Sequence, residues 1–93
     1  MNLSIVVPVY NSEQIISHLI NEVEKTLTKV NLKFELILVN DFSKDNSWLK
    51  IKKLCQTKPF LKGINLKSNY GQHNAISAGL NYCSGEFIIL MDD

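Results

Sequence analysis

Long apolar runs are missing from this chain of 93 residues. Its apolar stretches have the length of short strands, far below the roughly 20 residues that a bilayer-spanning helix needs. An excess of one charge is missing as well. Ten Lys and Arg stand against nine Asp and Glu, a formal net charge of +1. That balance gives no broad electrostatic case for nucleic acid or for an anionic membrane. Cysteine is scarce: Cys55 and Cys83 form no CxxC and have no ligand spacing. They read as two reduced, partly buried thiols in a cytosolic protein. The N-terminal MNLSIVVPVY has no basic residue before its apolar run and no small-residue cleavage pattern, so it is not read as a signal peptide.

What is present suits one soluble domain, with 45% hydrophobic and 20% charged residues. LSIVVPV (Leu3–Val9) is a β-branched run, as a buried strand requires. Asn11 offers an N-cap with Gln14 as its capping-box partner. Ile15, Ile16, Leu19, Ile20, Val23, Leu27 and Val30 then follow at helical spacing, with charged residues mostly opposite. FELILVN (Phe34–Asn40) is a second strand. Ser43 or Asp45 can cap the next helix, whose inner face would be Trp48, Ile51, Leu54 and Cys55, with Pro59 closing it. Lys50, Lys52, Lys53 and Lys58 read better as a solvated helix face than as a nucleic-acid patch. FLKGINL (Phe60–Leu66) is a weaker third strand, because Gly63 interrupts it. NAISAGLNYC (Asn74–Cys83) reads as a third helix whose Ala75, Ala78 and Gly79 can press close to a sheet. FIILM (Phe87–Met91) is a fourth strand. The order βαβαβαβ with short connections predicts an α/β fold. It should have a parallel four-stranded sheet with helices on both faces, one half of a nucleotide-binding domain.

In such sheets ligands bind beyond the carboxyl ends of the strands, where the strand order reverses. Every polar cluster of note falls at such an end: Pro8, Tyr10 and Asn11; Asn40, Asp41 and Ser43; Ser68 to His73; Asp92 and Asp93. A dinucleotide site needs GxGxxG after the first strand, and PVYNSE stands there instead; a P-loop is absent too. A phosphoacceptor domain needs acids where Tyr10 and Asn11 stand. What remains is one acid after the second strand and an acid pair after the fourth. The first can accept from a ribose hydroxyl or a base N–H, and the pair can hold a hard divalent cation. Together they suggest a nucleoside diphosphate held by its base at one end and its metal at the other. Each residue also has a plain structural role open to it. Asp41 can be a turn or cap residue, Asp92 and Asp93 a solvated terminus, Tyr10 a packing residue, and His73 a capping residue. His18 and His73 make no metal site with two unspaced cysteines.

IVVPVYN, ELILVNDFSKDNS, NYGQHNAISAGL and GEFIILMDD, in this order and spacing, resemble the start of family 2 inverting glycosyltransferases of the GT-A (Rossmann-like) fold. NYGQHNA with the following AG is similar to the branch that transfers a sugar from a nucleotide-sugar to dolichyl or undecaprenyl phosphate. The resemblance implies that residues 1–93 are the N-terminal, donor-binding part of a transferase domain, cut inside its D-x-D motif. It implies that Pro8 and Tyr10 line the nucleotide pocket, and that Val39 and Asp41 belong to the motif whose acid binds the base. Asp92 then matches the first acid of D-x-D and Asp93 its middle position, with the main ligand for Mg²⁺ or Mn²⁺ following beyond the chain. Asp92 would touch the metal only indirectly, and no residue here would be catalytic. Phe42 stands where the family usually has a small residue, often Gly, and Ser12 where some relatives have a nucleotide-touching Glu. A UDP-linked donor, a polyprenyl phosphate acceptor in the whole enzyme and a cytoplasmic location follow from the resemblance. The piece alone is expected to be inactive and to self-associate as a homodimer through its unpaired sheet edge. A non-catalytic α/β binding or interaction module is the competing reading.

Overall fold

The computed structural model describes residues 2–66 and 72–91. Seven elements alternate: β1 (Asn2–Val9), α1 (Ile16–Lys29), β2 (Lys33–Asn40), α2 (Ser47–Cys55), β3 (Leu61–Asn65), α3 (Gln72–Leu80) and β4 (Phe87–Leu90). All four strands are parallel, in the order β3-β2-β1-β4. The α/β sheet expected from the sequence is therefore the one found.

The order follows from handedness. The steps from β1 to β2 to β3 run in one direction, and right-handed crossovers put α1 and α2 on one face. The step from β3 to β4 runs back past β2 and β1, which carries α3 to the other face. Two apolar layers record this. Leu3, Ile5, Val7, Val9, Leu36 and Leu38 pack with Ile16, Ile20 and Val23 of α1 and Ile51 of α2. Val6, Ile37 and Val39 pack with Ala75 of α3. The register pairs Ile5 with Leu36 and Val6 with Ile37, so a slip of one residue would exchange the two layers. Each fully buried Ile, Leu or Val contributes about 1.5–3 kcal/mol relative to leaving it in water.

Gly79 brings α3 close to the sheet. A Cβ there would collide with Val6 Cγ1 and lie 3.1 Å from Val39 Cγ2. Gly63 does the same for β3, where a Cβ would come 2.7 Å from Ile51 Cγ2. The glycine that weakens the third strand as a pattern is the residue that lets α2 settle on it.

Each strand differs from its expected bounds by one residue at one end or both, and the helices differ more. Asn11 does not cap α1, because its φ of 50° turns the chain before the helix begins at Ile16. The carbonyl of Ser12 instead accepts from the N–H groups of Ile15 at 3.0 Å and Ile16 at 3.2 Å. α2 stops at Cys55, short of Pro59, and its last turn closes on the Leu54 carbonyl through Thr57 and Lys58. α3 begins two residues earlier than expected and ends at Leu80. The lysine face divides: Lys50 donates to the Glu13 carbonyl at 2.8 Å and Lys58 pairs with Glu24 at 2.7 Å, while Lys52 and Lys53 are solvated. Cys55 and Cys83 are free and half-buried, and burial pushes both thiols above their ordinary range. No described helix is long and apolar enough to cross a membrane.

Candidate functional site

The strand order reverses between β1 and β4, so the crevice of an open parallel sheet falls at the carboxyl ends of these two strands. Pro8 shapes that end. The backbone of β1 bonds toward β4 through even-numbered residues: Glu86 N–H donates to Asn2 O and Met91 N–H to Val6 O, each at 3.0 Å. Pro8 is the next even position and has no N–H to give. Among the described residues the β1–β4 pairing runs to Val6 with Leu90, and the β1–β2 pairing runs to Val9 with Asn40. Pro8 thus offers no ladder donor at this end of β1.

Two loops meet beside this end. Asp41 N–H donates to the Val9 carbonyl at 2.8 Å, which brings Asp41 next to Tyr10. Asp41 is buried at 4% exposure, and Tyr10 is 44% exposed. Pro8 and Val39 are register partners, both buried, and Val39 belongs to the layer under α3. Phe42 follows with φ at 55°, in the left-handed region. The backbone that a glycine would favour is thus kept although the residue is Phe.

Hydrogen bonds clasp the loop after β1 to the loop after β2. Asn11 N–H donates to Ser43 Oγ at 2.9 Å, and Lys44 N–H donates to Asn11 Oδ1 at 2.8 Å. Ser12 N–H donates to Ser47 Oγ at 3.0 Å. Glu13 N–H donates to Asp45 Oδ2 at 3.2 Å, while Asn46 N–H donates to Glu13 Oε1 at 3.0 Å. Asp45 also receives Ser47 N–H at 2.9 Å, so it serves the start of α2 as expected. Ser43 instead donates to Asn40 Oδ1. Burial acts to raise the Asp45 carboxyl, but donors from Ser47 and Glu13 outweigh it and hold the carboxyl below its ordinary range. Sequence reasoning took Asn11 and Ser43 as caps and missed this clasp. Its trace was the density of short polar residues in NSE and SKDNS.

Ser68, Asn69, Tyr70, Gly71, Asp92 and Asp93 lie outside the described residues, as do the side chains of Gln72 and His73. Among the described residues no group of three or more His, Cys, Asp or Glu side chains could hold a metal ion. The carboxylates of Asp92 and Asp93 are, by residue type, oxygen donors of the kind that Mg²⁺ and Mn²⁺ take.

The chain has relatives among known proteins. The model of glycosyl transferase family 2 matches residues 4–93. An undecaprenyl-phosphate 4-deoxy-4-formamido-L-arabinose transferase of Pseudomonas savastanoi is 39% identical over 92 residues, covering 97% of this chain and 27% of the relative. The S. aureus TarS 1–349 structure in complex with UDP-GlcNAc superposes with a TM-score of 0.82 at 32% identity, covering 99% of this chain and 26% of that one. The mannosyltransferase PcManGT of Pyrobaculum calidifontis, solved with GDP-Man and Mn²⁺, shares the fold at a TM-score of 0.80 and 24% identity, over 97% and 26% of the two chains. The chain thus spans less than a third of the length of the curated relatives it matches.

Proposed function

The chain belongs to glycosyl transferase family 2, and on that premise we propose that it forms the donor-nucleotide side of an inverting transferase acting on polyprenyl phosphate. The observation that carries the reading is the meeting of Tyr10 and Asp41 beside the strand-order reversal, in a chain 32% identical to a protein solved with UDP-GlcNAc. Asp41 accepts an N–H of the base, and the exposed Tyr10 ring offers a stacking face. Pro8 and Val39 shape the floor of the pocket. UDP is the favoured nucleotide, on the strength of that same relative and of the undecaprenyl-phosphate relatives.

Asp92 and Asp93 follow β4 in the chain and offer carboxylate oxygens toward a divalent cation. Such a cation, when bound, supplies charge neutralisation at the leaving diphosphate. In the whole protein a phosphate oxygen of the acceptor attacks the anomeric carbon from the face opposite the diphosphate. One carbon–oxygen bond forms, the other breaks, and the centre inverts. The acceptor phosphate is already anionic, so positioning and electrostatic stabilisation are the protein's main tasks. The donor nucleotide-sugar is cytosolic, which puts the whole protein at the cytoplasmic face of a membrane. Alone, these 93 residues bind nucleotide without turnover.

The test is titration of the isotope-labelled protein with UDP, with and without Mg²⁺, followed by NMR. Shifts at Tyr10 and Asp41 that disappear in Asp41→Ala support the reading. No shifts at millimolar UDP would sink it and leave the non-catalytic module. Self-association belongs to the same reading. Phe87, Ile88, Ile89 and Leu90 of β4 are 44–53% exposed, beside an apolar groove lined by Leu3, Ile5, Leu19, Val23, Leu27 and Met91. An edge strand of this composition favours a homodimer.

A further inference from the structure

One chain of hydrogen bonds crosses the ends of three strands. Asn40 closes β2, is 2% exposed, and donates through Nδ2 to Asn65 Oδ1 at 2.8 Å, at the end of β3. Its other amide atom, Oδ1, accepts from the Ser43 hydroxyl. Ser43 Oγ in turn accepts the Asn11 N–H at 2.9 Å, just past the end of β1. Asn11 Oδ1 accepts Lys44 N–H at 2.8 Å, which returns the path to the loop after β2. The backbone N–H of Lys44 fixes the Asn11 amide with its oxygen toward that loop, and the Ser43 hydroxyl links Asn11 to Asn40. Asp41 sits within this ring, between Asn40 and the left-handed Phe42, and its own N–H is tied to Val9.

A left-handed Phe is strained and persists only where its surroundings over-determine it. Plain burial of β2 does not need that conformation, because the ladder to β1 already ends at Asn40. The relay brackets the turn, and the residue within it is Asp41. We propose that Asn65, Asn40, Ser43 and Asn11 are positioning residues that hold Asp41 in the orientation that selects the nucleobase. This rests on the nucleotide reading above and adds residues that reading does not use.

The chemistry gives a direct readout. Uracil presents an N3–H donor to a carboxylate, whereas cytosine presents a bare N3 acceptor. A well-placed Asp41 favours UDP over CDP, by about tenfold or more for one hydrogen bond to a charged acceptor. A misplaced one loses the preference even if both nucleotides still bind. Calorimetric titration of UDP and CDP into the protein, Ser43→Ala, Ser43→Thr and Asn65→Ala separates the cases. The expected result is a tenfold preference in the protein that falls to within about threefold in Ser43→Ala and is restored in Ser43→Thr, which keeps the hydroxyl. Asn65 is exposed, so Asn65→Ala carries the test if Ser43→Ala fails to fold, and it should lower the preference in the same direction. A lower melting temperature with the UDP:CDP ratio intact would overturn the positioning role and leave the nucleotide reading standing. If the unaltered protein shows no preference between UDP and CDP, the base-binding role of Asp41 and the relay fall together.

Discussion

Phe42 carries a cost that the rest of its loop holds in place. Its φ of 55° lies where a side chain crowds its own backbone. Phe42→Gly should remove that strain, and Gly returns part of the gain through the greater freedom of its unfolded chain. The expected net effect is a stabilisation of up to about 1 kcal/mol in urea unfolding. Glu35 is the second residue with a measurable signature. Burial acts to raise its carboxyl, yet Lys62, the Ser4 hydroxyl and both donors of Ser84 bring it down from 4.5 to about 2. A carboxyl lowered on folding stabilises the protein above its unfolded value and loses that contribution as pH falls toward the folded one. Stability should therefore drop between about pH 5 and pH 2, by something on the order of 2–3 kcal/mol for this group. Glu35→Gln should flatten that part of the profile in acid titrations followed by circular dichroism.

Among elements, α3 depends most on a single small residue. Gly79 lets its helix sit against Val6 and Val39 with no space for another carbon. Gly79→Val should push α3 off the sheet and destabilise by about 1–3 kcal/mol or more, read as a shifted urea midpoint at unchanged slope. β4 shows the opposite condition: its four residues are all exposed, and Gly85 before it accepts only the closest approach to Ser4. Gly85 N–H donates to Ser4 Oγ at 2.8 Å, and Ser84 binds Glu35, so a polar staple rather than a packed face seats this strand.

At the scale of the whole molecule, the proposed self-association through the exposed residues of β4 can be read in solution. Light scattering at high concentration should report a species larger than one chain. Ile88→Lys should shift it toward monomer, because an edge charge resists strand pairing. A monodisperse monomer before the substitution would end the homodimer reading.

The alternation of β-branched runs with helical spacing was enough to give α/β, four parallel strands and helices on both faces, since period and connection length decide which layers can form. The small-residue face of α3 was readable for the same reason. Resemblance in PVYN, NDFSKDNS and MDD supplied Pro8, Tyr10, Val39, Asp41, Asp92 and Asp93, and the fold brings the first four to one end of the sheet. Tertiary structure alone decided the clasp. Asn11 is 32 residues from Ser43 and Glu13 is 32 from Asp45, and no local rule predicts which of many short polar side chains will face each other across two loops. Caps are local and can be read from neighbours, whereas a hydrogen bond between loops depends on strand register and left-handed turns, which emerge only when the sheet has closed.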